Sequence, residues 1–446
     1  MSTMNSKKAS STIPVLIAAA ICISLPGQSL RAQEMKAAGY DKARGHEMIS
    51  QIKSELKKNY YDPSFHGMDI EARLKAADEK INTATSIGHI FGIIAQALVD
   101  LEDSHTYFVP PGRSARTEYG WEMQMVGDKC LVTAVKPGSD AEAKGLKEGD
   151  EIWTINDTGP TRDNFWKIQY YFKALRPQPG MRLTVRKPSG KEEDLVVLAK
   201  ITERKRVMDL TGGDIYQFIR EEETAAHFNR QRYLDAGDEL LIWKLPNFEL
   251  EEAEVDDLMG RVRKHKSLIL DLRGNPGGYV SALQRFAGYF FDHDIKIADR
   301  KGRKEMKPQE AKTRGEKVFK GQVVALVDSR SGSAAEIFAR LLQLEHRGTV
   351  LGDTSAGAVM ESRFFPHQSG LDVVAFWGVS ITDADVIMSD GKSLEKVGVI
   401  PDETILPTAA DLAAKRDPVL ARAAELVGVR LDSQKAGSLF PIEWRK

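Results

Sequence analysis

Two short apolar stretches, each followed by small residues and then by a helical pattern, most constrain how this chain can fold. The first stretch is the apolar start of residues 268–278 (LILDLRGNPGG). The second is residues 323–327 (VVALV), which run directly into DSRSGSAAEIF. Apolar runs of this length that end at turn residues are typical of buried strands. Because strands here alternate with helices, the pattern predicts an α/β core.

The glycine-rich turn at residues 274–278 (GNPGG) does not fit a nucleotide site. It has neither the Rossmann spacing nor the Lys-Ser/Thr ending of a P-loop. Glycines also expose their backbone amides and tolerate positive φ, and such amides can stabilise a developing oxyanion. From the residues alone, an ordinary turn and an oxyanion site both remain open.

Ser333 lies where the second apolar strand turns into a helix. A serine in that place sits at the positive end of the helix dipole, where alkoxide character is stabilised. A helix N-cap explains it equally well, and Ser329 or Ser331 would also serve as the cap. The local pattern therefore makes Ser333 a candidate nucleophile but leaves the capping alternative open.

The region before the core has two parts. Residues 35–112 show apolar positions at helical spacing and end in a junction that places Ser104 beside His105. Residues 114–203 change to short β-type runs, and KPGSDAEAKGLKEGD at 136–150 resembles the helix and turn of a PDZ domain. The resemblance implies that an extended peptide adds to a sheet edge and that backbone amides hold its terminal carboxylate; a β module that only spaces or gates the core is the alternative. The segment that aligns with the carboxylate loop is Tyr119, Gly120, Trp121, Glu122 and Met123.

Four segments in a fixed order carry a further resemblance. They are residues 268–278, 331–338 (SGSAAEIF), 350–357 (VLGDTSAG) and 394–402 (LEKVGVIPD). Together with the PDZ-like module they resemble the carboxy-terminal processing peptidases, or tail-specific proteases, and their tricorn-type relatives. The resemblance implies a ClpP/crotonase-like βαβ peptidase core with Ser333 as nucleophile.

One departure from the family selects between its branches. The processing-protease branch has a lysine base in a Gly-Lys pair, and the matching pair here is Gly357-Ala358. The tricorn-type branch instead uses a Ser-His pair and a glutamate, which match Ser104, His105 and Glu395. A structural histidine, a helix cap and a surface carboxylate are the alternatives for those three residues.

The resemblance also assigns a role to each member of this set. His105 is neutral and basic enough near pH 7 to accept the Ser333 proton, and Glu395, through Ser104, orients the imidazole. The oxyanion hole is expected from the amides of Ala334 and of Gly277 or Gly278. Asp271 and Arg273 are expected to fix the turn rather than to react.

Charge and composition exclude some partners. With 63 basic and 64 acidic side chains among 446 residues, the chain has no charge pattern for nucleic acid. Its histidines show no metal-ligand spacing such as His-x-x-x-His. We therefore expect neither a metal nor a cofactor, and we expect peptide or protein substrates, with their C-termini as the preferred contact. The pattern leaves the oligomeric state open.

The first 32 residues are predicted to be a secretory signal. Lys7 and Lys8 precede an apolar run at residues 13–25, and small residues lead to Ala32. A membrane anchor is the alternative, but the run is shorter than the roughly 20 residues that span a bilayer. Cys22 lies in mid-run, which argues against lipid attachment, so the mature chain keeps Cys130 alone. We expect export, to a periplasm in preference to the medium.

The sequence thus predicts an exported serine endopeptidase assisted by a PDZ domain. An inactive homologue that binds peptides as an envelope scaffold, and a hydrolase for a non-peptide ligand, are the alternatives. The predicted parts are a signal peptide (1–32), a helical region (35–112), a PDZ domain (114–203), a linker (204–236), the peptidase core (237–408) and a helical tail (409–446).

Overall fold

The computed structural model describes residues 39–113, 115–203, 230–369 and 375–444, and its first part is helical. Apolar residues such as Ile49, Ile52 and Leu56 recur at helical spacing and are buried along one face. The next two helices begin after Asp69 and Ser86, whose side chains accept backbone hydrogen bonds as N-caps. The elements are α1 (Gly39–Asn59), α2 (Ile70–Ile81), α3 (Ile87–Val99) and strand β1 (Tyr107–Val109).

Residues 115–203 form a β module. In chain order its elements are β2 (Ala115–Glu118), β3 (Trp121–Val126), β4 (Lys129–Val135), α4 (Asp140–Ala143), β5 (Glu151–Ile155), α5 (Phe165–Gln169), β6 (Gly180–Arg186), β7 (Glu192–Leu198) and β8 (Lys200–Glu203). Strands β3 to β7 pair in sequence order as one antiparallel sheet, and β2 pairs with β8. Side chains such as Val132, Leu183 and Ile168 fill its core. Among the described strands, β3 is therefore an edge of this sheet.

The part that follows contains both sheets that position the candidate site. In chain order its elements are β9 (Arg232–Ala236), β10 (Leu240–Lys244), α6 (Glu252–Val262), β11 (Ser267–Asp271), α7 (Val280–Ala287), β12 (Ile295–Gly302), β13 (Gln309–Ala311), β14 (Gln322–Val327), α8 (Ala334–Leu344), β15 (Thr349–Gly352), β16 (Met360–Ser369), β17 (Ala375–Met388) and β18 (Glu403–Thr404). The strand–turn–helix pattern predicted for the core is confirmed.

The first of these sheets is mostly parallel, in the order β18-β15-β14-β11-β10-β9, with only β9 antiparallel among its described strands. Helices cover its faces, which explains the uninterrupted apolar runs in the sequence. β11 and β14 are parallel neighbours, so their carboxyl ends lie at the same edge of the sheet. The glycine-rich turn and the turn that carries Ser333 therefore lie side by side.

The second sheet brings the helical region to the site. Its strands lie in the order β1-β17-β12-β13, and β16 pairs along the long strand β17. Trp377, Val379 and Ile381 of β17 pack against the helical region in one buried cluster. Because β1 begins two residues after His105 and pairs with β17, this sheet fixes the position of His105 relative to the core.

Three short helices end the described chain, and the last two pack against the parallel sheet. Val419, Leu420 and Ala423 pack onto Ile269 and Val324. No helix in the described ranges combines the length and the apolar character that a bilayer crossing requires. The helices are α9 (Ala409–Ala413), α10 (Pro418–Leu426) and α11 (Ser433–Ser438).

One predicted boundary is wrong. The linker was expected to extend to residue 236, but Arg232–Ala236 is strand β9, which pairs with all five residues of β10. The strand is short, polar and at the edge of its sheet, so it lacks the apolar run that marks the neighbouring strands. Residues 204–229 of the expected linker, and the predicted signal peptide, lie outside the described residues.

Candidate active site

Ser333 occupies a strained turn between β14 and α8. Its backbone has φ 51° and ψ −119°, in the half of φ space that favours glycine, and the residue is half-buried. Such strain in a non-glycine residue persists only where the surroundings enforce it, and it is concentrated at functional sites. Here the Ser333 amide donates to the Ala358 carbonyl (2.9 Å), and the Gly332 amide donates to the Asn275 carbonyl (2.8 Å). A serine on a sharp strand-to-helix turn is also how α/β-hydrolases present their nucleophile.

Glu336 supports this turn from beneath. Its carboxylate is fully buried and accepts four hydrogen bonds, from the Ser333 amide (3.0 Å), the Ser355 hydroxyl (2.6 Å), the Gly357 amide (2.7 Å) and the Ala358 amide (2.9 Å). Burial raises the pKa of Glu336 to about 7, against the effect of these donors. Glu336 therefore joins the turn that carries Ser333, which we call the nucleophile turn after the role predicted for that serine, to the loop at residues 353–359.

Ser104, His105 and Glu395 form a hydrogen-bonded chain. The Ser104 hydroxyl lies 2.7 Å from His105 Nδ1 and donates to Glu395 Oε2 at 2.8 Å, while the Ser104 amide donates to Glu395 Oε1 at 2.8 Å. A hydroxyl has a single proton. Because Ser104 gives that proton to Glu395, it must accept from a protonated Nδ1. His105 Nε2 then carries the lone pair, as a general base requires.

The turn that carries His105 is held by Asp103. Asp103 Oδ1 accepts hydrogen bonds from the His105 amide (3.0 Å), the Thr106 amide (2.7 Å) and the Thr382 hydroxyl (2.7 Å), the last from β17. Burial lowers the pKa of His105, and the Asp103 carboxylate opposes that shift. The imidazole is thus neutral at pH 7 and fixed to the second sheet.

One peptide group connects the two halves of the site. The carbonyl of the Ala358–Val359 peptide accepts from the Ser333 amide (2.9 Å), and its N–H donates to Glu395 Oε2 (2.8 Å). Burial raises the pKa of Glu395, while the bonds from Ser104 and Val359 oppose the shift. Ser333 and Glu395 therefore lie on the two sides of a single peptide group. No hydrogen bond joins His105 to Ser333 in the described part of the chain.

The glycine-rich turn contributes one available amide rather than two. The Gly277 amide donates to the Asn275 side chain (2.8 Å), so the prediction that it serves the oxyanion hole is wrong. Its role is steric, because a Cβ there would lie 2.6 Å from Ser333 Cβ. The Gly278 and Ala334 amides make no hydrogen bond within the described residues. Both stay as candidate donors beside Ser333.

The segment expected to bind a peptide carboxylate begins the edge strand of the β module. Trp121 and Met123 point into the module core and are buried, whereas Glu122 faces outward and lies 3.1 Å from Lys173. The Tyr119 hydroxyl donates to the Phe172 carbonyl (3.2 Å), and Gly120 has the positive φ of a tight turn (74°). These contacts attach the start of β3 to the helical segment Tyr170–Leu175 that follows α5.

The β module contacts both loops that surround Ser333. Arg162 lies 2.6 Å from the Asp353 carboxylate and donates to the Thr354 carbonyl (3.0 Å). The buried Gln124 amide donates to Asp328 (2.7 Å), five residues before Ser333, and the Ser329 hydroxyl donates to the Met125 carbonyl (2.5 Å). The module is therefore attached to the nucleophile turn and to the 353–359 loop by side chains.

Asp271 and Arg273 perform the structural role expected of them. Arg273 bonds to the Asp271 carboxylate (2.9 Å) and to Asp417 at the start of α10 (2.7 Å). Lys244 and Arg273 hold the pKa of Asp271 below its usual range despite complete burial. In the described residues, no group of three His, Cys, Asp or Glu side chains has a geometry that could hold a metal ion.

Sequence reasoning missed three residues of this site. Glu336 had a local signal, since Ser333-x-x-Glu336 has capping-box spacing. Asp103 is two positions before His105, the spacing at which a side chain holds its own turn. Arg162 had no such signal, because its partner Asp353 is 191 positions further along the chain.

The comparisons with known proteins all indicate the same kind of peptidase. Residues 240–405 match the model of peptidase family S41. The chain is 24% identical over 340 residues to the tail-specific protease of Haemophilus influenzae, covering 72% of this chain and 46% of that protein. It is also 24% identical over 295 residues to the carboxy-terminal processing protease CtpB of Bacillus subtilis, covering 63% and 54%. The chain thus spans about half the length of these two relatives.

Solved structures show the same fold. Mature CPAF superposes with a TM-score of 0.61 at 14% identity, covering 84% of this chain and 94% of that one. At this identity the likeness concerns the fold alone. The matched region contains Ser333, Glu336 and Glu395. On these grounds, residues 240–405 form a peptidase family S41 domain.

Proposed function

We propose that this chain is an exported serine endopeptidase in which Ser333 is the nucleophile and His105 its general base. The observation that most supports the proposal is the Ala358–Val359 peptide group. It bonds the nucleophile turn on one side and Glu395 on the other. Glu395 in turn accepts a hydrogen bond from Ser104, whose hydroxyl lies beside His105 Nδ1. These contacts support a serine-peptidase triad drawn from three distant segments.

In the proposed reaction, His105 Nε2 takes the proton of the Ser333 hydroxyl as Oγ attacks the scissile carbonyl. The imidazolium that forms is stabilised through Ser104 by the Glu395 carboxylate. His105 then gives the proton to the leaving amine, and the C–N bond breaks to leave an acyl ester on Ser333. A water molecule, deprotonated by the same imidazole, hydrolyses that ester and regenerates the serine.

The Gly278 and Ala334 amides are proposed to bind the oxyanion of each tetrahedral intermediate. Ala334 follows Ser333 directly as the first residue of α8, where the helix dipole adds positive potential, and Gly278 follows Gly277, which packs against Ser333. The Gly277 amide is used by Asn275. Two fixed donors of this kind are worth more than the same donors in water, because they need no reorganisation during the reaction.

We propose further that the β module is a PDZ domain that captures substrate. Its edge strand β3 offers backbone groups to an extended peptide, and residues 119–123 form the turn at the start of that strand. Arg162, Gln124 and Ser329 link the module to the loops around the nucleophile. Movement about boundaries near Gly112 and residue 212, the second outside the described residues, is proposed to control access. A deletion of residues 115–203 that leaves cleavage of a long protein unchanged would contradict this role.

Export to a Gram-negative periplasm is the proposed location, with secretion as the alternative. The proposal depends on the signal-like character of the first 32 residues. Cys130 is a free, buried cysteine whose pKa burial raises to about 12. A thiol with so little thiolate character is inert in either redox environment.

A peptide-binding homologue without activity is the second candidate function. Two observations favour it: Ala358 stands where one branch of the family has its lysine base, and His105 makes no hydrogen bond to Ser333 among the described residues. Apo catalytic hydrogen bonds are often long and tighten only when substrate binds, however. The two candidates make opposite predictions for cleavage.

Cleavage of casein and of a peptide mixture by the mature chain decides between them. We expect wild-type protein to cut and His105→Ala to lose on the order of 10⁴-fold in kcat/KM, as for other triad bases. Ser333→Ala supplies the background, and its peptide affinity, measured by fluorescence anisotropy, should equal that of the wild type. If no variant cuts and all bind peptide, the inactive homologue is the better account; if only esters are cleaved, the substrate is not a peptide.

A further inference from the structure

A second hydrogen-bond network adjoins the turn that carries His105. It starts at Tyr60, the first residue after α1, whose side chain is fully buried. The Tyr60 hydroxyl lies 3.0 Å from His66 Nε2, and the Tyr61 hydroxyl lies 3.2 Å from the same nitrogen. The His66 side chain is 46% exposed, so the network runs from solvent into the core.

Asp62 fixes the position of His66. Its Oδ2 atom accepts a hydrogen bond from the His66 amide (2.7 Å) and lies 3.5 Å from His66 Nδ1. The His66 backbone has φ 56°, in the region that favours glycine, and such strain persists only where the surroundings enforce it. The two phenols therefore face one imidazole nitrogen whose orientation is set by Asp62.

β17 joins this network to Asp103. The Tyr61 amide donates to the Thr382 carbonyl (2.9 Å), and the Thr382 hydroxyl donates to Asp103 Oδ1 (2.7 Å). Oδ1 also accepts from the His105 and Thr106 amides, whereas Oδ2 is buried and has no partner at full hydrogen-bond geometry among the described residues. An unbonded carboxylate oxygen in a buried place costs free energy, so a donor is expected there.

Tyr60 is the donor placed to serve Asp103 Oδ2. Burial raises the pKa of the Tyr60 phenol, and the charge of Asp103 and a hydrogen bond to its carboxylate raise that pKa further. The phenol therefore keeps its proton near neutral pH. Arg303 bonds to the Tyr60 carbonyl and holds the residue from its backbone.

Proton counting assigns the direction of each bond. His66 Nε2 has a single site, either a lone pair or a proton, so at most one of the two phenols can donate to it. The acceptors of the Tyr60 hydroxyl among the described residues are His66 and Asp103. A carboxylate is the stronger acceptor of the two, because hydrogen bonds to a charged group are stronger than those to a neutral one. The Tyr60 proton thus belongs to Asp103, and the Tyr61 proton to His66.

We propose that Tyr60 is a positioning residue of the active site, whose hydroxyl donates to Asp103 Oδ2 and thereby reduces the negative charge that His105 faces. The inference rests on the proposed role of His105 as general base. Burial lowers the pKa of His105, and the charge of Asp103 opposes that shift. A further donor on Asp103 weakens this opposition, so His105 stays neutral, and able to accept a proton, to lower pH.

The other charged groups around the network are unchanged when one phenol hydroxyl is removed. Lys396 and, to a smaller extent, His66 lower the pKa of Glu102. Burial raises the pKa of Tyr61, and four carboxylates raise it further: Asp385, Asp103, Asp62 and Glu395. A shift in the protonation of His105 on removal of one hydroxyl therefore reports that hydroxyl.

The test follows protonation of the His105 ring itself, so it needs no catalytic activity. Histidine labelled with ¹³C at Cε1 is incorporated, the His105 signal is assigned by its absence in His105→Ala, and the signal is followed across pH by NMR. Tyr60→Phe keeps the ring that stacks on Phe65 (5.2 Å between centroids). We expect it to raise the midpoint of His105 protonation by about 0.5–1 pH unit, because the Asp103 charge is less neutralised.

Two other tyrosines supply matched controls. Tyr61→Phe removes the neighbouring phenol, whose proton belongs to His66, and should leave the His105 midpoint unchanged. Tyr233→Phe removes another buried phenol oxygen, one that has no hydrogen-bond partner in the described part of the chain, and should also leave it unchanged. A shift in Tyr61→Phe that exceeds the shift in Tyr60→Phe overturns the assignment.

A double variant separates this role from a general structural one. In an Asp103→Asn chain, Tyr60→Phe should move the His105 midpoint no further, since no charge is left to offset. A midpoint that stays or falls in Tyr60→Phe alone, or that moves as much in the Asp103→Asn chain, overturns the proposal. If the midpoint rises as expected but the wild type cuts nothing, Tyr60 still controls the charge on His105 and the peptidase function fails.

Discussion

The Ser104 hydroxyl determines which nitrogen of His105 can act as a base. It has one proton and two neighbours, and the geometry directs that proton to Glu395. If Glu395 contacted His105 directly, its negative charge would lie next to the imidazole ring. Because Ser104 lies between the two side chains, the Glu395 carboxylate is separated from the ring by the serine hydroxyl. In the proposed mechanism, the Ser104 hydroxyl orients His105 and the Glu395 carboxylate supplies the negative charge.

Ser104→Ala should therefore reduce kcat far more than it raises KM. His105 Nδ1 loses its acceptor, so the tautomer with Nε2 free is no longer favoured, and we expect a fall of about 10²–10⁴-fold. Ser104→Thr keeps the hydroxyl and should restore part of the activity. Steady-state kinetics on a peptide substrate give the comparison. Equal kcat for Ser104→Ala and wild type would show that the relay is not used.

Asp103→Asn tests the electrostatic environment of His105. The asparagine Oδ1 can still accept the hydrogen bonds of the turn, but the negative charge that raises the pKa of His105 is gone. The imidazolium is then less favoured, so the acidic limb of the kcat/KM profile should move to lower pH. Asp103→Ala also loses the acceptor and should lower kcat at every pH. A limb that stays in place, or moves to higher pH, would contradict this account.

Glu336→Gln should disturb the nucleophile turn without changing its size. Each carboxylate oxygen of Glu336 accepts hydrogen bonds from two donors. A glutamine replaces one of these oxygens with an NH₂ group, whichever way its amide is turned, and the hydrogens of that group then face two donors. Unpaired buried donors cost about 1–3 kcal/mol, so a lower melting temperature and a lower kcat are expected. Glu345→Gln, at the other end of α8, is the control. A wild-type melting temperature and kcat would show that Glu336 does not hold the turn.

At the level of elements, the loop at residues 353–359 joins the site. Ser355 and Gly357 bond to Glu336, and the Lys396 amide donates to the Gly357 carbonyl (2.8 Å) in the turn that carries Glu395. The loop thus lies between the nucleophile turn and the glutamate turn. A shift of either turn changes the other, because buried hydrogen-bonded loops of this kind have few alternative arrangements.

The contact between the glycine-rich turn and Ser333 can be tested with Gly277→Ala. An added Cβ would lie 2.6 Å from Ser333 Cβ and 2.9 Å from the Ala334 amide nitrogen, at φ 98°. Both the crowding and the backbone strain are expected to displace the nucleophile, with a loss of about 1–3 kcal/mol in stability and a large fall in kcat. Gly260→Ala in α6, where nothing lies within 4 Å, is the control. Retained kcat would contradict the tight packing.

The sequence predicts an element well where the residues that specify it lie close together in the chain. The strands and helices around Ser333 follow from apolar runs and turn residues, and the structure has them there. β9 was missed because an edge strand such as RYLDA at residues 232–236 carries no apolar pattern. The Gly277 amide was misassigned because its partner is a side-chain oxygen of Asn275, which depends on a rotamer that no spacing reveals.

The long-range part of the site could not be predicted from periodicity. Ser104 and Glu395 are 291 positions apart, and nothing in either neighbourhood specifies the other. Only the family resemblance brought them together as candidates. Arg162 and Asp353 had no such help, since contacts between separate modules depend on how complete surfaces fit.

At the scale of the whole molecule, side chains of the β module contact the loops of the peptidase core. Arg162 makes two of these contacts, to Asp353 and to the Thr354 carbonyl, and its guanidinium is held within the module by the Gly127 carbonyl (2.9 Å). The Asp353 side chain is 9% exposed, so solvent screens this pair less than a surface pair. The link attaches the module to the same loop that bonds Glu336 and Glu395.

Arg162→Met should loosen this link and destabilise the chain by about 1–3 kcal/mol, because Asp353 loses a charged partner in a mostly buried position. A double-mutant cycle with Asp353→Asn, followed by thermal unfolding, isolates the coupling. Arg182→Met breaks an exposed pair with Asp157 in the same module and should change stability by less than about 0.5 kcal/mol. Zero coupling in the cycle would show that Arg162 and Asp353 do not hold the module to the core.

Covalent labelling by a fluorophosphonate across pH tests the Ser333–His105 pair most directly, because it reports the nucleophile without assuming a substrate. The account predicts one adduct, mapped to Ser333 by mass spectrometry, with a rate that falls as His105 becomes protonated. Ser333→Ala should not label, and His105→Ala should label at least about 10²-fold more slowly at neutral pH, without the acidic limb. An adduct at another residue, or a wild-type rate in His105→Ala, would contradict the assignment.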